Sequence, residues 1–295
     1  MKLLKWAIFQ QIIKLLAGFA PKTASKLLYR VFLKKRLNLD NPQTLNEKIM
    51  WLKLNTYKNN EKVTTCIDKA EVDNYLVKLG LESLIVPKYF VVDKPHKLNF
   101  AALPNKFVLK CNHGCGFNII CTDKTNFNEE TAKSQLQKWL KTPFWRTLAE
   151  INYRHIKPKI LCEKYLEDSN GNSPNDYKVY CFSGKATHIL VCTNRNQNDK
   201  PQFYFFNTDW QLDRINKDSI AAPPNFTLSQ PANLPQMLQA AETLSSPFPF
   251  VRVDFYVVDE KLYFGEMTFT PSAGLDADRL PSTDLMFGKM LELPK

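Results

Sequence analysis

The sequence has few glycines and histidines and no long uninterrupted apolar run. With 9 Gly and 18 Pro among 295 residues, it is neither collagen-like nor a low-complexity chain. The 4 His and the 7 scattered Cys fit no catalytic triad and no disulfide framework, so we interpret the thiols as reduced and expect a cytoplasmic protein. The composition, 44% hydrophobic and 23% charged, is that of a globular protein with a sizeable core.

Acidic residues are absent from the first 36 positions, where Lys and Arg occupy nine. These nine basic residues make up much of the net charge of +11. The run MKLLKWAIFQQIIKLLAGFAP is too short and too often interrupted to span a bilayer. Its apolar residues recur at helical spacing between lysines, which predicts a basic amphipathic segment over residues 1–40, made of two helices. Two interpretations stay open: peripheral association with the anionic inner face of the cell membrane, or docking on the protein's own domain.

The order of predicted elements is typical of an α+β protein. Thr44 and Glu47 have the spacing of a capping box, which predicts a helix over residues 45–54. The stretch TTCIDKAEVDNYLVKLGL is predicted to be one helix that ends at Gly80. Beyond residue 106, short β-branched and aromatic runs predict mainly antiparallel strands, including two around the turn DEK.

The stretch LKCNHGCGFNIIC, residues 109–121, brings a Lys, a His and several Cys and Gly together. A zinc site would draw on Cys111, His113, Cys115 and Cys121. Structural zinc usually takes two well-separated ligand pairs, and the second pair is missing here. A phosphate site needs free backbone N–H groups beside a cation, and Gly114, Gly116 and Lys110 would supply them. A plain hairpin turn stays open on this stretch alone.

Carboxylates and an arginine recur two residues apart on the last two predicted strands. Arg252 and Asp254 share one strand face. Glu266 is expected opposite Asp254, with Thr268 two residues further along. Two carboxylates on an apolar face resist burial unless a cation joins them, and hard oxygen ligands suit Mg2+. Two solvated carboxylates on an open face are the alternative.

Taken in order, the stretches IDK, FVLKCNHGCG, LCEKYLE, RVDF and FGEMTFTP resemble the ATP-grasp superfamily over residues 45–274. LNEKIMWLKL and DYKVYCFSGK are most similar to its TupA-like branch, which is found with bacterial surface-polysaccharide and teichuronopeptide synthesis. The resemblance implies an ATP-grasp fold whose two α+β lobes clamp a nucleotide. The implied divisions are the basic helical segment 1–40, a substrate lobe 41–100, a lid lobe with a glycine-containing phosphate flap 101–165, and a C-terminal lobe with a metal site 166–295.

The resemblance also implies ATP and Mg2+ as cofactors, with a role for each matching residue. ATP would be bound by Lys69, Lys110, His113, Gly114, Gly116, Glu163, Tyr165 and Leu166. Mg2+ would be held by Asp254, Glu266 and Thr268. The catalytic residues would be Lys110, Lys178 and Arg252. Thr268 stands where the family usually has Asn, and a hydroxyl is a weaker ligand than an amide oxygen.

The implied reaction is the ATP-dependent joining of a carboxylate to an amine through an acyl phosphate. The expected substrates are an acidic glycan or lipid-linked saccharide and an amino acid or amine. A glycosyltransferase of the same pathway is the alternative, because Asp276 and Asp278 match the D-x-D pattern that holds a metal and a sugar nucleotide. Nucleic acid is not expected as a partner, because basic strands interleaved with aromatics are absent.

Overall fold

The computed structural model describes residues 2–193 and 200–294 and shows the expected α+β class, with two antiparallel sheets and surrounding helices. The helices are α1 (Lys2–Phe19), α2 (Pro21–Leu33), α3 (Leu45–Leu54), α4 (Glu61–Ile67), α5 (Val72–Lys78), α6 (Glu129–Leu140), α7 (Lys217–Ala221), α8 (Leu234–Ser245) and α9 (Pro281–Met290). The strands are β1 (Lys88–Val92), β2 (Phe107–Cys111), β3 (Asn118–Cys121), β4 (Ile160–Lys164), β5 (Asp176–Phe182), β6 (Lys185–Thr193), β7 (Gln202–Asn207), β8 (Leu212–Asp213), β9 (Phe250–Val258) and β10 (Lys261–Thr268).

Each sheet has its own apolar core. The small sheet has the order β1-β4-β2-β3, and α6 packs against it through the fully buried Leu136. The large sheet has the order β10-β9-β5-β6-β7-β8, and α8 covers one face through residues such as Met237. Val253 and Phe255 alternate into this large core, which leaves the opposite face of β9 to polar side chains.

Several sequence predictions are confirmed. The capping box is present, since the Thr44 side chain accepts from the Glu47 backbone N–H and the Glu47 carboxylate accepts from the Thr44 N–H. The strand pair β9 and β10 turns at residues 259–260, as expected.

Helix α9 was not predicted. It packs close to the loop before α3, and a Cβ at Gly288 would lie 2.1 Å from the Gln43 carbonyl oxygen.

The prediction of one continuous helix up to Gly80 is wrong, because the chain leaves the helix at Asp68. Asp68 has an extended backbone, with φ −79° and ψ 107°, and its carboxylate accepts hydrogen bonds from the N–H of Ala70 and from Nδ2 of Asn112. An Asp side chain that binds nearby backbone competes with helical hydrogen bonds. The break between α4 and α5 leaves Lys69 on a turn.

The N-terminal helices pair with each other and dock on the rest of the protein by one side. The rings of Trp6 and Phe32 lie 6.0 Å apart, so the start of α1 meets the end of α2. Ile13 and Ala17 of α1 are buried in a cluster that also contains Met50 of α3. In the part of the chain that the structure describes, no helix is both long and apolar enough to cross a bilayer.

Lys53 of α3 is fully buried beneath a left-handed turn. Its Nζ donates to the carbonyl oxygens of Leu148 and Ala273, at 3.2 and 3.1 Å. Three consecutive residues of this turn, 272–274, have positive φ values of 51°, 56° and 75°. Only glycine adopts this region without cost, so the hydrogen bond from Lys53 to the Ala273 carbonyl helps to hold the turn in place. Burial lowers the pKa of Lys53 to about 8.

We expect the stability advantage of wild type over Lys53→Met to grow as the pH rises from 8 to 10. The unfolded chain keeps its proton on Lys53 in this range while the folded protein releases it, so the free energy of unfolding rises with pH, by about 3 kcal/mol at most. Urea unfolding of both proteins at several pH values measures this difference. A difference that stays constant with pH would show that Lys53 is not the titrating group.

Candidate active site

A cleft of about 200 Å3 lies where the small sheet faces the end of β9 and β10. Its walls are Lys69, Val72, Asp73, Val86, Lys88, Val108, Lys110, Asn118, Ile120, Glu163, Lys164, Tyr165, Leu166, Ser173, Pro174, Tyr256, Phe264 and Gly265. Five of the residues predicted to bind ATP are thus brought together in one place. The walls come from both sheets and from the turn between α4 and α5, which are far apart in the sequence.

Several apolar side chains line the cleft. Val108 of β2 and Phe264 of β10 belong to different sheets and both line it. Tyr165 and Leu166 follow the last residue of β4 and border the same cavity. Apolar walls with a few polar groups at the rim are typical of sites for flat organic rings. This part of the cleft suits a planar heterocycle.

Lys110 and Glu163 form an ion pair on the floor of the cleft. The two residues lie on neighbouring strands, β2 and β4, and Lys110 Nζ lies 2.5 Å from Glu163 Oε2. Burial by itself lowers the pKa of Lys110, but the charge and hydrogen bond of Glu163, together with Tyr256 and Glu266, outweigh burial and raise it. Lys110 is therefore a fixed cation whose side chain is partly exposed to the cavity.

Lys69 reaches across the cleft from the turn between α4 and α5. Its Nζ donates to the carbonyl oxygen of Gly114 at 3.1 Å and lies 3.4 Å from Glu266 Oε2. The Gly114 carbonyl belongs to the loop that joins β2 and β3, whereas Glu266 belongs to the large sheet. Lys69 thus connects the two sides of the cleft.

The loop of residues 112–116 is anchored at its base and exposed at its tip. Asn112 is fully buried. Its Nδ2 donates to Asp68 and to the carbonyl oxygen of Lys157, and its Oδ1 accepts from the N–H of Lys159. Cys115 and Gly116 form the exposed tip, where Gly116 has a φ of 74°. The sequence predicted the loop, but Asn112 was not singled out for its role as anchor.

His113 faces the interior of the small lobe rather than the cleft. Its Nε2 lies 3.2 Å from the carbonyl oxygen of Trp139, and its ring lies 5.5 Å from that of Phe117. Burial lowers the pKa of His113, so the imidazole is neutral at pH 7. This placement suits support of the loop. The predicted contact of His113 with ATP stays a prediction, and nothing in the geometry favours it.

The polar face of β9 carries the strongest ion pairs of the site. Arg252 Nε and Nη2 donate to the two carboxylate oxygens of Asp254, both at 2.7 Å. Lys178 of β5 lies directly opposite Asp254 in the sheet, and its Nζ donates to Asp254 at 2.8 Å and also to Asp176. Asp176 was not predicted. Asp254 is almost fully buried, and its charge is balanced by these two cations.

A β-bulge brings Glu266 to the same face. Leu262 and Phe264 of β10 point into the large core, so plain alternation would also bury Glu266. The extra residue Gly265 shifts the register, which places Glu266 opposite Asp254 and turns Met267 into the core. The predicted position of Glu266 opposite Asp254 is confirmed, although the bulge that produces it was not predicted.

Glu266 is surrounded by cations. Burial raises its pKa, but the charges of Lys69, Arg252 and Lys178 outweigh burial and lower the pKa to about 2. Thr268 Oγ1 donates to Glu266 at 3.2 Å and accepts from Arg252 at the same distance. Glu266 keeps 38% of its side chain exposed, so it is a permanent negative charge within reach of a ligand in the cleft.

The oxygen donors fit the Mg2+ that the resemblance implies, although only two of them are accessible. Carboxylate and hydroxyl oxygens are hard ligands of the kind Mg2+ prefers. Glu266 and Thr268 lie on the polar face of β10, just beyond the cleft-lining Gly265, whereas Asp254 is occupied by Arg252 and Lys178. Among the described residues, no three His, Cys, Asp or Glu side chains are placed to hold a metal ion. A metal here would need water and ligand oxygens to complete its shell.

The D-x-D pattern has a structural explanation. Asp276 accepts hydrogen bonds from the backbone N–H groups of Asp278 and Arg279, and it forms an ion pair with the Arg279 guanidinium at 2.9 Å. Asp278 is exposed and lies 3.2 Å from Lys217. The two carboxylates therefore have separate partners, and this geometry gives no support to a sugar-nucleotide site.

The sequence matches the model of the family described as TupA-like ATP-grasp over residues 47–292, most of its length. No curated protein matches it significantly. The similar solved structures include an L-amino acid ligase from Bacillus licheniformis, with 10% identity, a TM-score of 0.51, and 87% of this chain and 57% of that chain covered. A D-alanine–D-alanine ligase from Bacillus anthracis complexed with ATP shares 17% identity, with a TM-score of 0.45 and coverages of 76% and 61%. The chain thus spans about three fifths of the length of these proteins.

We expect Gly265→Ala to lower the free energy of unfolding by about 1–3 kcal/mol, because a Cβ there would lie 2.9 Å from the Asp254 carbonyl oxygen. The strand pair would have to move apart at the bulge. Urea unfolding measures the change. Gly18→Ala is the control, since its Cβ would meet Arg146 at an ordinary 3.6 Å inside a helix. Equal stability changes in the two variants would show that the bulge needs no glycine.

Proposed function

The chain belongs to the TupA-like ATP-grasp family, and from this premise we propose that it joins a carboxylate to an amine in an ATP-dependent reaction. We further propose that the carboxylate is activated as an acyl phosphate and that the acceptor is an acidic glycan. The single observation that carries it is the presence of Lys69 and Lys110 in the walls of one cleft, with Glu266 3.4 Å from Lys69.

ATP fits the cleft by chemistry. The adenine ring would lie near the apolar Val108 and Phe264, and the backbone beside Tyr165 and Leu166 would meet its polar edge. The phosphates would extend towards Lys69 and Lys110 and the loop that ends in Gly116. Cations that are oriented before the ligand binds reduce the reorganisation needed to stabilise phosphate charge.

The four cations of the site are paired with carboxylates in the free protein. The pairs are Lys69 with Glu266, Lys110 with Glu163, Lys178 with Asp176 and Asp254, and Arg252 with Asp254. A bare phosphate chain would therefore compete with these carboxylates. Glu266 and Thr268 would hold a divalent cation, which would neutralise negative charge on the phosphates and stabilise the ionised form of the attacking carboxylate. Lys69 would then be free to donate to a phosphate oxygen instead of Glu266.

The proposed reaction transfers the terminal phosphoryl group to a carboxylate oxygen. The bond from that phosphorus to the ADP oxygen breaks, and ADP leaves. The amine nitrogen then attacks the acyl carbon, inorganic phosphate leaves, and the nitrogen loses a proton. Lys110 would bind the transferring phosphoryl group, and Arg252 would bind its oxygens from the side of the large sheet. Burial lowers the pKa of Arg252, but Asp254 outweighs burial and raises it, so the group stays charged throughout.

A second cavity of about 400 Å3 adjoins the polar face of β9 and suits an acidic acceptor. Its walls are Lys178, Tyr180, Leu190, Phe203, Phe205, Asn216, Lys217, Asp218, Arg252, Pro271, Ser272, Asp276, Asp278 and Arg279. Lys178 and Arg252 border this cavity and also pair with Asp254. Cationic and aromatic side chains together suit a sugar ring that carries a carboxylate. We assign a uronic acid of a surface polysaccharide to this cavity because the TupA-like branch is found with bacterial surface-polysaccharide and teichuronopeptide synthesis.

The experiment that tests the proposal traps the acyl phosphate with hydroxylamine in place of the amine. Glucuronate, galacturonate and a set of amino acids are each incubated with Mg-ATP, and hydroxamate and ADP are measured. We expect equal amounts of hydroxamate and ADP with at least one carboxylate. Formation of AMP and pyrophosphate would contradict the phosphoryl-transfer step. Hydroxamate from amino acids but not from uronates would contradict the assignment of the acceptor alone.

We expect Lys110→Met to weaken Mg-ATP binding at least about tenfold and to lower the rate of ADP formation about a hundredfold, since a fixed cation at the phosphates is lost. Titration calorimetry and an ADP assay measure the two effects. Lys133→Met is the control, because Lys133 lies on α6, outside the cleft, and pairs with Glu130. An unchanged affinity for Mg-ATP in Lys110→Met would refute the placement of the phosphates.

For a carboxylate that is active in the hydroxylamine assay, we expect Lys217→Glu to raise KM about tenfold with little change in kcat. Lys217 lies at the exposed edge of the second cavity, so charge reversal there repels an acidic acceptor without touching the reacting atoms. Lys185→Glu makes the same charge change at the exposed start of β6 and serves as the control. Equal KM values in both variants would place the acceptor elsewhere.

A further inference from the structure

Helix α1 has two apolar sides, and only one of them is covered by the protein. Ile13 and Ala17 lie in a buried cluster with residues of α2 and α3. The other side carries a row of large apolar side chains between 44% and 76% exposed, here called the exposed stripe. Its members are Leu4, Ile8, Ile12, Leu15 and Phe19.

The exposed stripe is continuous and lies opposite the docked side. At 3.6 residues per turn, its five members fall within roughly an 80° arc of the helix. Ile13 and Ala17 fall on the opposite half of the helix. Single exposed apolar residues are common on protein surfaces, but a continuous row of this size marks an interaction surface.

The helical segment that carries the exposed stripe is strongly basic. Lys5 is exposed beside it on α1, and Lys22, Lys26 and Arg30 lie four residues apart on the exposed side of α2. The first 36 residues contain no Asp or Glu. Among the described residues, none of the basic side chains of this segment forms an ion pair with a carboxylate.

We propose that the exposed stripe and the basic side of α2 bind the surface of an anionic phospholipid bilayer. Apolar side chains of one helix would enter the interface between headgroups and acyl chains, while the flanking Lys and Arg would contact phosphate groups. A protein partner could also bind the apolar row, but its binding would not require that all the charges near the row be positive. The charge distribution therefore favours the bilayer over a second copy of this chain, which would bring like charges together.

The sequence left membrane binding and docking as alternatives, and the structure makes them compatible. Ile13 and Ala17 dock α1 into a buried cluster shared with α2 and Met50 of α3. Membrane binding would then cost little conformational ordering, because the helix is already formed and fixed. The inference goes beyond the proposed ligase activity and does not depend on it.

Vesicle flotation with the full chain tests the proposal. We expect wild type to float with vesicles of phosphatidylcholine and phosphatidylglycerol, to bind pure phosphatidylcholine vesicles at least tenfold more weakly, and to lose affinity as salt is raised. Two variants separate the contributions: the double substitution Ile8→Glu with Leu15→Glu, and the triple substitution of Lys22, Lys26 and Arg30 by Glu. Both should weaken binding to the anionic vesicles at least tenfold.

Val77→Glu is the matched control, because Val77 is 55% exposed on α5 and lies outside the exposed stripe. It should float like wild type. Since the substituted side chains are exposed, both variants should keep the thermal stability and Mg-ATP affinity of wild type. Unchanged flotation of the double variant would overturn the proposal. So would a wild-type dimer, measured by light scattering, that the double variant dissociates, since a second copy would then cover the stripe.

Discussion

The buried ion pair between Arg252 and Asp254 is the interaction on which the rest of the site depends. Asp254 is almost without contact with water, and its charge is tolerated only because Arg252 and Lys178 balance it. Arg252 is fixed in turn and donates to Thr268, which donates to Glu266. The chain of contacts that begins with one buried carboxylate therefore continues to the accessible carboxylate of the cleft.

This chain of contacts ends on the other lobe. Glu266 lies next to Lys69, and Lys69 donates to the carbonyl oxygen of Gly114 in the loop of the small sheet. In the free protein, the carboxylates thus hold the cations of both lobes at defined positions. An anionic ligand would enter a site whose cations are already oriented, at the expense of existing pairs. The same arrangement explains why Glu266, with a pKa of about 2, stays ionised between these cations.

The sequence was informative where a single physical rule explains why a residue type occupies its position. Alternation along β9 correctly placed Arg252 and Asp254 on one face, and the capping box correctly placed the start of α3. It was not informative where tertiary contacts override local pattern. The helix break at Asp68 depends on Asn112, which lies 44 residues away, and a lysine as buried as Lys53 has no distinctive sequence signal. His113 was predicted to contact ATP because of its neighbours in the sequence. Its orientation is instead set by aromatic packing beside the small sheet.

The bulge at Gly265 determines how β10 responds to a change in its number of residues. Up to Phe264 the strand alternates in one phase, and from Glu266 onwards it alternates in the other. Deletion of Gly265 would remove the bulge and restore one phase throughout, yet Glu266 would stay opposite Asp254 and Met267 would stay in the core. Insertions and deletions elsewhere in surface turns are absorbed locally. Pairing of the full strand without a bulge would instead bury Glu266, so the bulge, and not only the identity of the residues, determines which side chains lie opposite Asp254.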